Sequence, residues 1–314
     1  MNLSIENKDS TSVVKKVVVK LEGGLGNQFY QYAVGKALAR ASNAAFLVLD
    51  RMDSPNDSRR HNHLGLFNCQ ARKVSLISRF VFRLLFVKKW GIGKKLRKNS
   101  SKIYPITLVH DPETGYHPTI LDNKFGSVLL LGYWQSYKYF DALRAELIEE
   151  FTLKSPPTSE ENADLLQKIN STPSIAVHIR RGDYVNVSHF LENFGTCSLS
   201  YYRQAIKYIA DHVDHPEFYV FSDDPDWAEA NLIFSHPVKF VRNNLGVSDY
   251  EDFRLMKECK HFIIANSSFS WWAAYLSSFP AKMVLTPDRW FINDPMAMED
   301  RIPTDWVRIT TNHS

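Results

Sequence analysis

The residue types best suited to chemistry stand together in His178-Ile179-Arg180-Arg181-Gly182-Asp183-Tyr184, directly after the apolar run Ser174-Ile175-Ala176-Val177. Such a run reads as a buried strand, and paired guanidinium groups at a strand's carboxyl end suit a phosphate-bearing ligand. Arginine stays charged and its planar fork matches phosphate oxygens, so the doublet points to pyrophosphate recognition. The competing reading is an exposed turn whose local Arg-Asp pair contributes little.

Other segments offer ligand contacts where a strand gives way to a helix. Glu22-Gly23-Gly24-Leu25-Gly26-Asn27-Gln28-Phe29 follows the apolar run ending at Leu21. Its glycines, Gly24 and Gly26 among them, would let a ligand approach backbone N–H groups and a helix N-terminus. No G-x-x-x-x-G-K-[ST] is present and Phe29 breaks a G-x-G-x-x-G pattern, so P-loop and NAD enzymes fit poorly. A tight turn that needs glycine is the plain alternative.

Phe221-Ser222-Asp223-Asp224-Pro225-Asp226-Trp227 also follows an apolar run. Asp223 could accept hydrogen bonds from a base or ribose, whereas Asp224, before Pro225, reads as a helix N-cap in preference to a D-x-D metal ligand. Asn266-Ser267-Ser268-Phe269-Ser270-Trp271-Trp272 offers hydroxyls and N–H groups at a positive helix end, a second place for phosphate. Ser268 fits an ordinary N-cap equally well, and both tryptophans read as packing residues. Asp249 and Asp252 precede a helix, and one of them could read a nucleoside.

The elements that would position these groups follow from periodicity. Apolar runs near 174–178, 217–221, 238–241, 261–265 and 282–286 alternate with helical patterns such as Tyr202, Ala205, Ile206, Ile209 and Val213 on one face. That alternation predicts a parallel α/β domain. The N-terminal half opens as βαβ: strand, glycine turn, helix to about Arg40, strand at 44–49. Residues 50–130 read as an irregular insertion. Length favours two domains, 1–155 and 156–314, divided near Ser155-Pro156-Pro157-Thr158-Ser159.

Composition narrows the partners. Net charge is +4, yet residues 71–102 hold eleven Lys or Arg and no acid, so the remainder is acidic on balance. This stretch also carries Phe80, Phe82, Leu84, Leu85, Phe86 and Trp90, and it reads either as an interfacial helix for an anionic membrane surface or as a core helix with a basic side. Nucleic acid is not expected, because no recognition signature accompanies the charge. Cys69, Cys197 and Cys259 lack the spacing of a zinc site or a disulfide framework. Met1 to Lys16 lacks the apolar centre of a secretory signal, and the longest apolar runs are far below spanning length. The expectation is a cytoplasmic protein, soluble or peripheral at the inner face of the membrane.

In order and spacing, Gly23 to Gln28, His178 to Tyr184 and Asn266 to Leu276 resemble the α-1,2-fucosyltransferases, across about residues 17 to 290. The resemblance implies a GT-B architecture: α/β, two Rossmann-like domains with mostly parallel sheets, the C-terminal one binding the donor. It implies inverting transfer from GDP-β-L-fucose to the 2-hydroxyl of a terminal galactose, on a free or lipid-linked glycan, without a metal ion or other cofactor. By position, Arg180 would hold the β-phosphate, Arg181 would support it or order the loop, and His178 would lie near the nucleoside. Asp223 or Asp224 would meet guanine or ribose, with Asp252 a further nucleoside candidate. Ser267, Ser268 and Phe269 would line the phosphates, and Asn27 would face the reaction centre from the opposing domain. Ser188 stands where related α-1,6 enzymes place a glutamate, so Asp183, His189 and Glu192 are the candidate bases. Another GDP-sugar, another acceptor hydroxyl, or a binding protein that lost catalysis are the alternatives.

Overall fold

The computed structural model of the protein describes residues 16–49, 63–75, 106–112, 115–122, 126–182, 195–244, 248–292 and 298–311. Strand β1 (Lys16–Lys20) is a run of three valines, all buried, as β-branched residues in a central strand should be. Helix α1 (Leu25–Ala41) follows and ends where Asn43 takes φ 47°, a left-handed stop that asparagine tolerates. Then come β2 (Ala45–Leu49), β3 (Arg72–Lys73), β4 (Ile106–His110) and β5 (Ser127–Leu131). Their order in the sheet is β3-β2-β1-β5-β4, and every pairing is parallel.

Two helices, α2 (Arg144–Glu150) and α3 (Glu160–Ser171), lead into a second sheet. Its elements are β6 (Ser174–Ile179), α4 (Leu199–His212), β7 (Glu217–Ser222), α5 (Pro225–Asn231), β8 (Val238–Val241), α6 (Asp249–Lys257), β9 (His261–Ile263), α7 (Ser268–Leu276), β10 (Val284–Pro287), α8 (Met298–Arg301) and β11 (Val307–Ile309). The order is β11-β10-β9-β6-β7-β8, again parallel throughout. The five strands expected after residue 174 are all present, and β11 is added at the edge. In the stretch expected to be irregular, β4 and β5 complete the first sheet. Val128 to Leu131 are buried beside β1. Of residues 71–102, Arg72 and Lys73 form the edge strand β3, and those from 76 onward lie outside the described residues. No described helix is long and apolar enough to cross a membrane.

The two halves meet through α1 and α7. Phe29 and Tyr30 of α1 pack against Trp272 at ring-centroid distances of 5.8 and 5.0 Å, and Phe29 stacks on Phe151 at 4.0 Å. Phe140 stacks on the other side of this cluster against Trp272 at 5.1 Å. These rings are all fully buried or nearly so, and the core they form is continuous from the first sheet to the second. A C-terminal residue, Asp300 of α8, also returns to the first half, accepting from Lys138 Nζ and the Tyr116 N–H at 2.6 Å each.

Backbone contact sets how close the two helices come. A Cβ on Gly26 would lie 2.5 Å from the carbonyl carbon of Ser268 and 2.7 Å from the Phe269 nitrogen, whereas one on Gly24 would meet nothing within 4 Å. Gly26 thus lets the N-termini of α1 and α7 touch, and Gly24 faces open space. Gly26→Ala should destabilise the fold by about 2–3 kcal/mol, as overpacking against backbone does. Gly24→Ala should stay within about 0.5 kcal/mol of the parent in urea unfolding, as an exposed substitution.

Candidate active site

In the second sheet the strand order reverses between β6 and β9, whereas in the first β5-β4 follows β1 without a reversal, descending as β3-β2-β1 does. Crevices beyond the carboxyl ends of strands at such reversals are where open α/β sheets bind ligands. The glycine turn follows β1 and the Arg180 segment follows β6, while Asn266 to Ser268 follows β9. Because Gly26 touches Ser268 and Phe269, the crevices beyond the carboxyl ends of the two sheets open onto the same cleft.

Arg180 is held by a carboxylate from the neighbouring strand. Its Nη1 lies 3.0 Å from Asp223 Oδ2, and Asp223 Oδ1 accepts the Arg181 N–H at 2.8 Å. Gly182 permits this, since a Cβ there would stand 2.8 Å from the same carboxylate. Arg181 turns away. Its guanidinium stacks 3.8 Å from the Trp227 ring centre, with Nε 3.4 Å from Asp224 Oδ2. Asp224 in turn accepts the Trp227 N–H as N-cap of α5. Asp224 is the N-cap that its position before Pro225 indicated, whereas the pairing of Asp223 with Arg180 is a partner the sequence did not reveal.

His178 is buried, and its Nδ1 shares a hydrogen bond of 2.9 Å with Ser270 Oγ, tying β6 to α7. Burial, reinforced by the Arg180 charge, pushes its pKa down to about 3, so the ring is neutral at physiological pH. The N-cap of α7 is Ser267, not Ser268, and its hydroxyl makes no capping bond. The first N–H groups of α7 therefore have no side-chain cap, and neither do those of α1 behind Gly24. The other end of α7 is well supplied. Lys282 Nζ donates to the carbonyls of Ala274, Tyr275 and Ser277, and Arg144 donates to those of Tyr275 and Ser277.

Asp252 lies beyond β8. Its Oδ1 accepts from Asn244 Nδ2 at 2.9 Å, and Asn244 forms a reciprocal amide pair with Asn162 of α3. Among the described residues no donor reaches its Oδ2. Burial, with Asp249 and Glu251 adding repulsion, raises this carboxyl to about 7 despite the Asn244 bond.

The first sheet contributes residues that the motifs did not announce. Gln135, just after β5, donates Nε2 to Asn27 Oδ1 at 2.8 Å. Buried Gln31 accepts the Glu22 N–H and donates to the Gly132 carbonyl, joining the two loops of that crevice. An apolar run ending in Gly132 was the signal that could have found this loop. Asp183, with Tyr184, His189 and Glu192, lies outside the described residues. Among the described residues, no group of three or more His, Cys, Asp or Glu is placed to hold a metal ion.

Residues 123–310 match glycosyl transferase family 11. An α-1,2-colitosyltransferase of Escherichia coli is 33% identical over 307 residues, 93% of this chain and 98% of that protein. The chain belongs to glycosyl transferase family 11. This family-11 protein is accordingly an enzyme, a glycosyltransferase. It is 33% identical over 302 residues to an O-antigen biosynthesis glycosyltransferase, WbnK, of Escherichia coli, covering 86% of this chain and 93% of that one. A galactoside α-(1,2)-fucosyltransferase 2 of Pongo pygmaeus is 35% identical over 155 residues, 48% of this chain and 45% of the other. In fold, the family-11 chain is similar to an Arabidopsis thaliana FUT1 variant in complex with GDP, with a TM-score of 0.51 at 15% identity over 86% of this chain and 70% of that one. The architecture is GT-B, as the motifs implied.

The raised Asp252 carboxyl has a consequence for stability. Its folded pKa exceeds the unfolded one, so the group costs nothing below about pH 4 and destabilises progressively as pH rises through about 7. Asp252→Asn should be more stable than the parent by on the order of 1–3 kcal/mol at pH 8. Denaturant unfolding should show that gap closing by pH 4.

Proposed function

We propose that the enzyme transfers L-fucose from GDP-β-L-fucose to the 2-hydroxyl of a terminal galactose, with inversion and without a metal ion. The observation that carries this reading is Arg180, anchored by Asp223 at the end of β6 beside the uncapped N-terminus of α7. As the anomeric bond breaks, negative charge grows on the β-phosphate. A fixed guanidinium there stabilises the transition state more than the ground state, supplying the positive charge a metal would otherwise bring.

On this reading the diphosphate lies across the α7 N-terminus, met by the hydroxyls of Ser267 and Ser268 and by the Phe269 N–H. Neutral His178 and Ser270 hold β6 and α7 in register beneath it. Guanine extends toward β8, where the ionised Asp252 accepts from the ring N–H and amino group. Asn27 faces the transferred sugar from the other crevice, with Gly24 leaving room above α1. Asp183 is the assigned base, and oxocarbenium character in the fucosyl transition state keeps the demand on it small. The chain divides near residue 155 into an acceptor-side and a donor-side domain, and the basic stretch at 71–102 binds an anionic membrane surface that carries lipid-linked acceptors.

The identity with an α-1,2-colitosyltransferase along nearly that protein's whole length favours one other donor, GDP-colitose, whose sugar is L-fucose without its 3-hydroxyl. The deciding experiment is release of GDP from each donor against a panel of galactosides, with EDTA, followed by linkage analysis. Fucose on the 2-hydroxyl in EDTA is the expected result. Colitose transfer alone, another linkage, or full inhibition by EDTA would refute the corresponding part.

Arg180→Ala should lose about 3–4 kcal/mol of transition-state stabilisation in kcat/KM, the scale of a deleted oxyanion donor, and Arg180→Lys should recover only part of it. Near-normal turnover by the alanine variant would overturn its role. GDP binding should also follow Asp252. With a carboxyl titrating at about 7 and only the ionised form accepting from guanine, calorimetry should find GDP bound roughly tenfold more weakly at pH 6 than at pH 8. Asp252→Asn should bind weakly at both.

A further inference from the structure

The loop after β5 is held in a conformation its sequence would not choose. Trp134 has φ 58° and Gly132 has φ 118°, and a left-handed backbone at a bulky aromatic residue is strained. Three groups enforce it. Asp111 Oδ2 accepts the N–H of Tyr133 at 3.2 Å and of Trp134 at 2.7 Å. Gln31 Nε2 donates to the Gly132 carbonyl at 3.0 Å, and Ser136 Oγ donates to the Asp300 carbonyl at 2.6 Å. Trp134 itself is fully buried in the core, 5.8 Å from the Tyr139 ring, so the turn is pinned from within as well. The combined effect of these restraints is to deliver the next side chain, Gln135, to Asn27.

The two amides then share one bond and leave one group each. Gln135 Nε2 donates to Asn27 Oδ1. Asn27 Nδ2 lies over Gly23, where a Cβ would stand 2.7 Å away, so the positive φ of 79° and the missing side chain at Gly23 give the amide its place. Among the described residues, neither Asn27 Nδ2 nor Gln135 Oε1 has a hydrogen-bond partner. Both side chains are half-buried, beyond the adjoining carboxyl ends of β1 and β5.

One amide N–H beside one amide C=O, fixed relative to each other, matches a hydroxyl that donates and accepts at once. We propose that Gln135 is an acceptor-positioning residue: with Asn27 it holds a hydroxyl of the acceptor hexopyranose other than the one attacked, and so turns the attacking hydroxyl toward the donor. This rests on the acceptor being a galactoside, as proposed above. The strained loop belongs to the same device, since relaxing Trp134 would carry the Gln135 amide away from Asn27. Gln135 acts on the acceptor and not on the nucleotide, which separates it from every residue of the second sheet.

The test is acceptor kinetics of the wild type and Gln135→Ala with a galactoside and its 3-, 4- and 6-deoxy analogues, alongside GDP binding by calorimetry. The alanine variant is expected to raise the acceptor KM roughly tenfold, the worth of a hydrogen bond to a positioned hydroxyl. GDP affinity should stay within about twofold, because the contact is on the acceptor. One deoxy analogue that the wild type handles roughly tenfold less well than its parent should become equivalent to it in the variant, since the lost contact is the same one. Should the alanine variant fold poorly, Gln135→Met preserves the length while removing both amide groups, and the same loss of discrimination is expected. If every deoxy analogue keeps its wild-type penalty in a folded variant, or if GDP affinity falls in proportion to acceptor KM, the proposal is wrong. A wild type inert toward all galactosides overturns the functional reading, and this inference with it.

Discussion

Everything in the cleft depends on the contact between the N-terminal turns of α1 and α7. Gly26 brings the two backbones together, and the aromatic cluster of Phe29, Tyr30, Phe140, Phe151 and Trp272 fixes the angle at which they meet. Two parallel sheets each place a crevice at the carboxyl end of their strands, but a crevice alone cannot bring one reactant to another. The helix contact turns two half-sites into one. Fixed relative position is itself catalytic, because it removes the entropy of bringing groups together at the moment of reaction.

The same helix shows how local instability is placed and contained. At its N-terminus α7 lacks a side-chain cap, leaving donors unmet by protein where a cap would contribute about 1 kcal/mol. At its C-terminus, Lys282 and Arg144 satisfy the last carbonyls and complement the dipole. Burial and the nearby Arg144 charge pull Lys282 down to about 7, so that cap too is under tension. Of the other described helices, α3, α4 and α5 are capped by the side chains of Ser159, Ser198 and Asp224, whereas α2 and α6 begin without a side-chain cap.

The sequence made the strand-end chemistry legible because each motif is local. Apolar runs, glycine turns and the arginine doublet report on a few consecutive residues, and these landed at the ends of β1, β6, β7 and β9 as read. What stayed hidden was set by partners far along the chain. Gly26 reads as a nucleotide-loop glycine until Ser268 is seen against it. Asp223 reads as a free carboxylate until strand register places it beside Arg180. Arg181 and Trp227 are separated by dozens of residues yet stack. Gln135 carries no motif at all, and β4 and β5 were lost in charge-rich sequence whose periodicity is broken around them. Tertiary pairing, which has no local signature, decided each case.

The costs of this site converge on one pattern. An ionisable carboxyl buried at Asp252, a left-handed tryptophan at 134 and two uncapped helix ends would each be removed by selection for stability alone. On the proposed reading each serves the ligands: an acceptor from Asp252, a donor and acceptor from Asn27 and Gln135, and backbone N–H groups from α1 and α7. The offset lies just behind them, in rings that are fully buried and shared by both halves. Such an arrangement lets the cleft stay polar, strained and pre-set while the cluster between α1 and α7 supplies the stability that its own lining cannot.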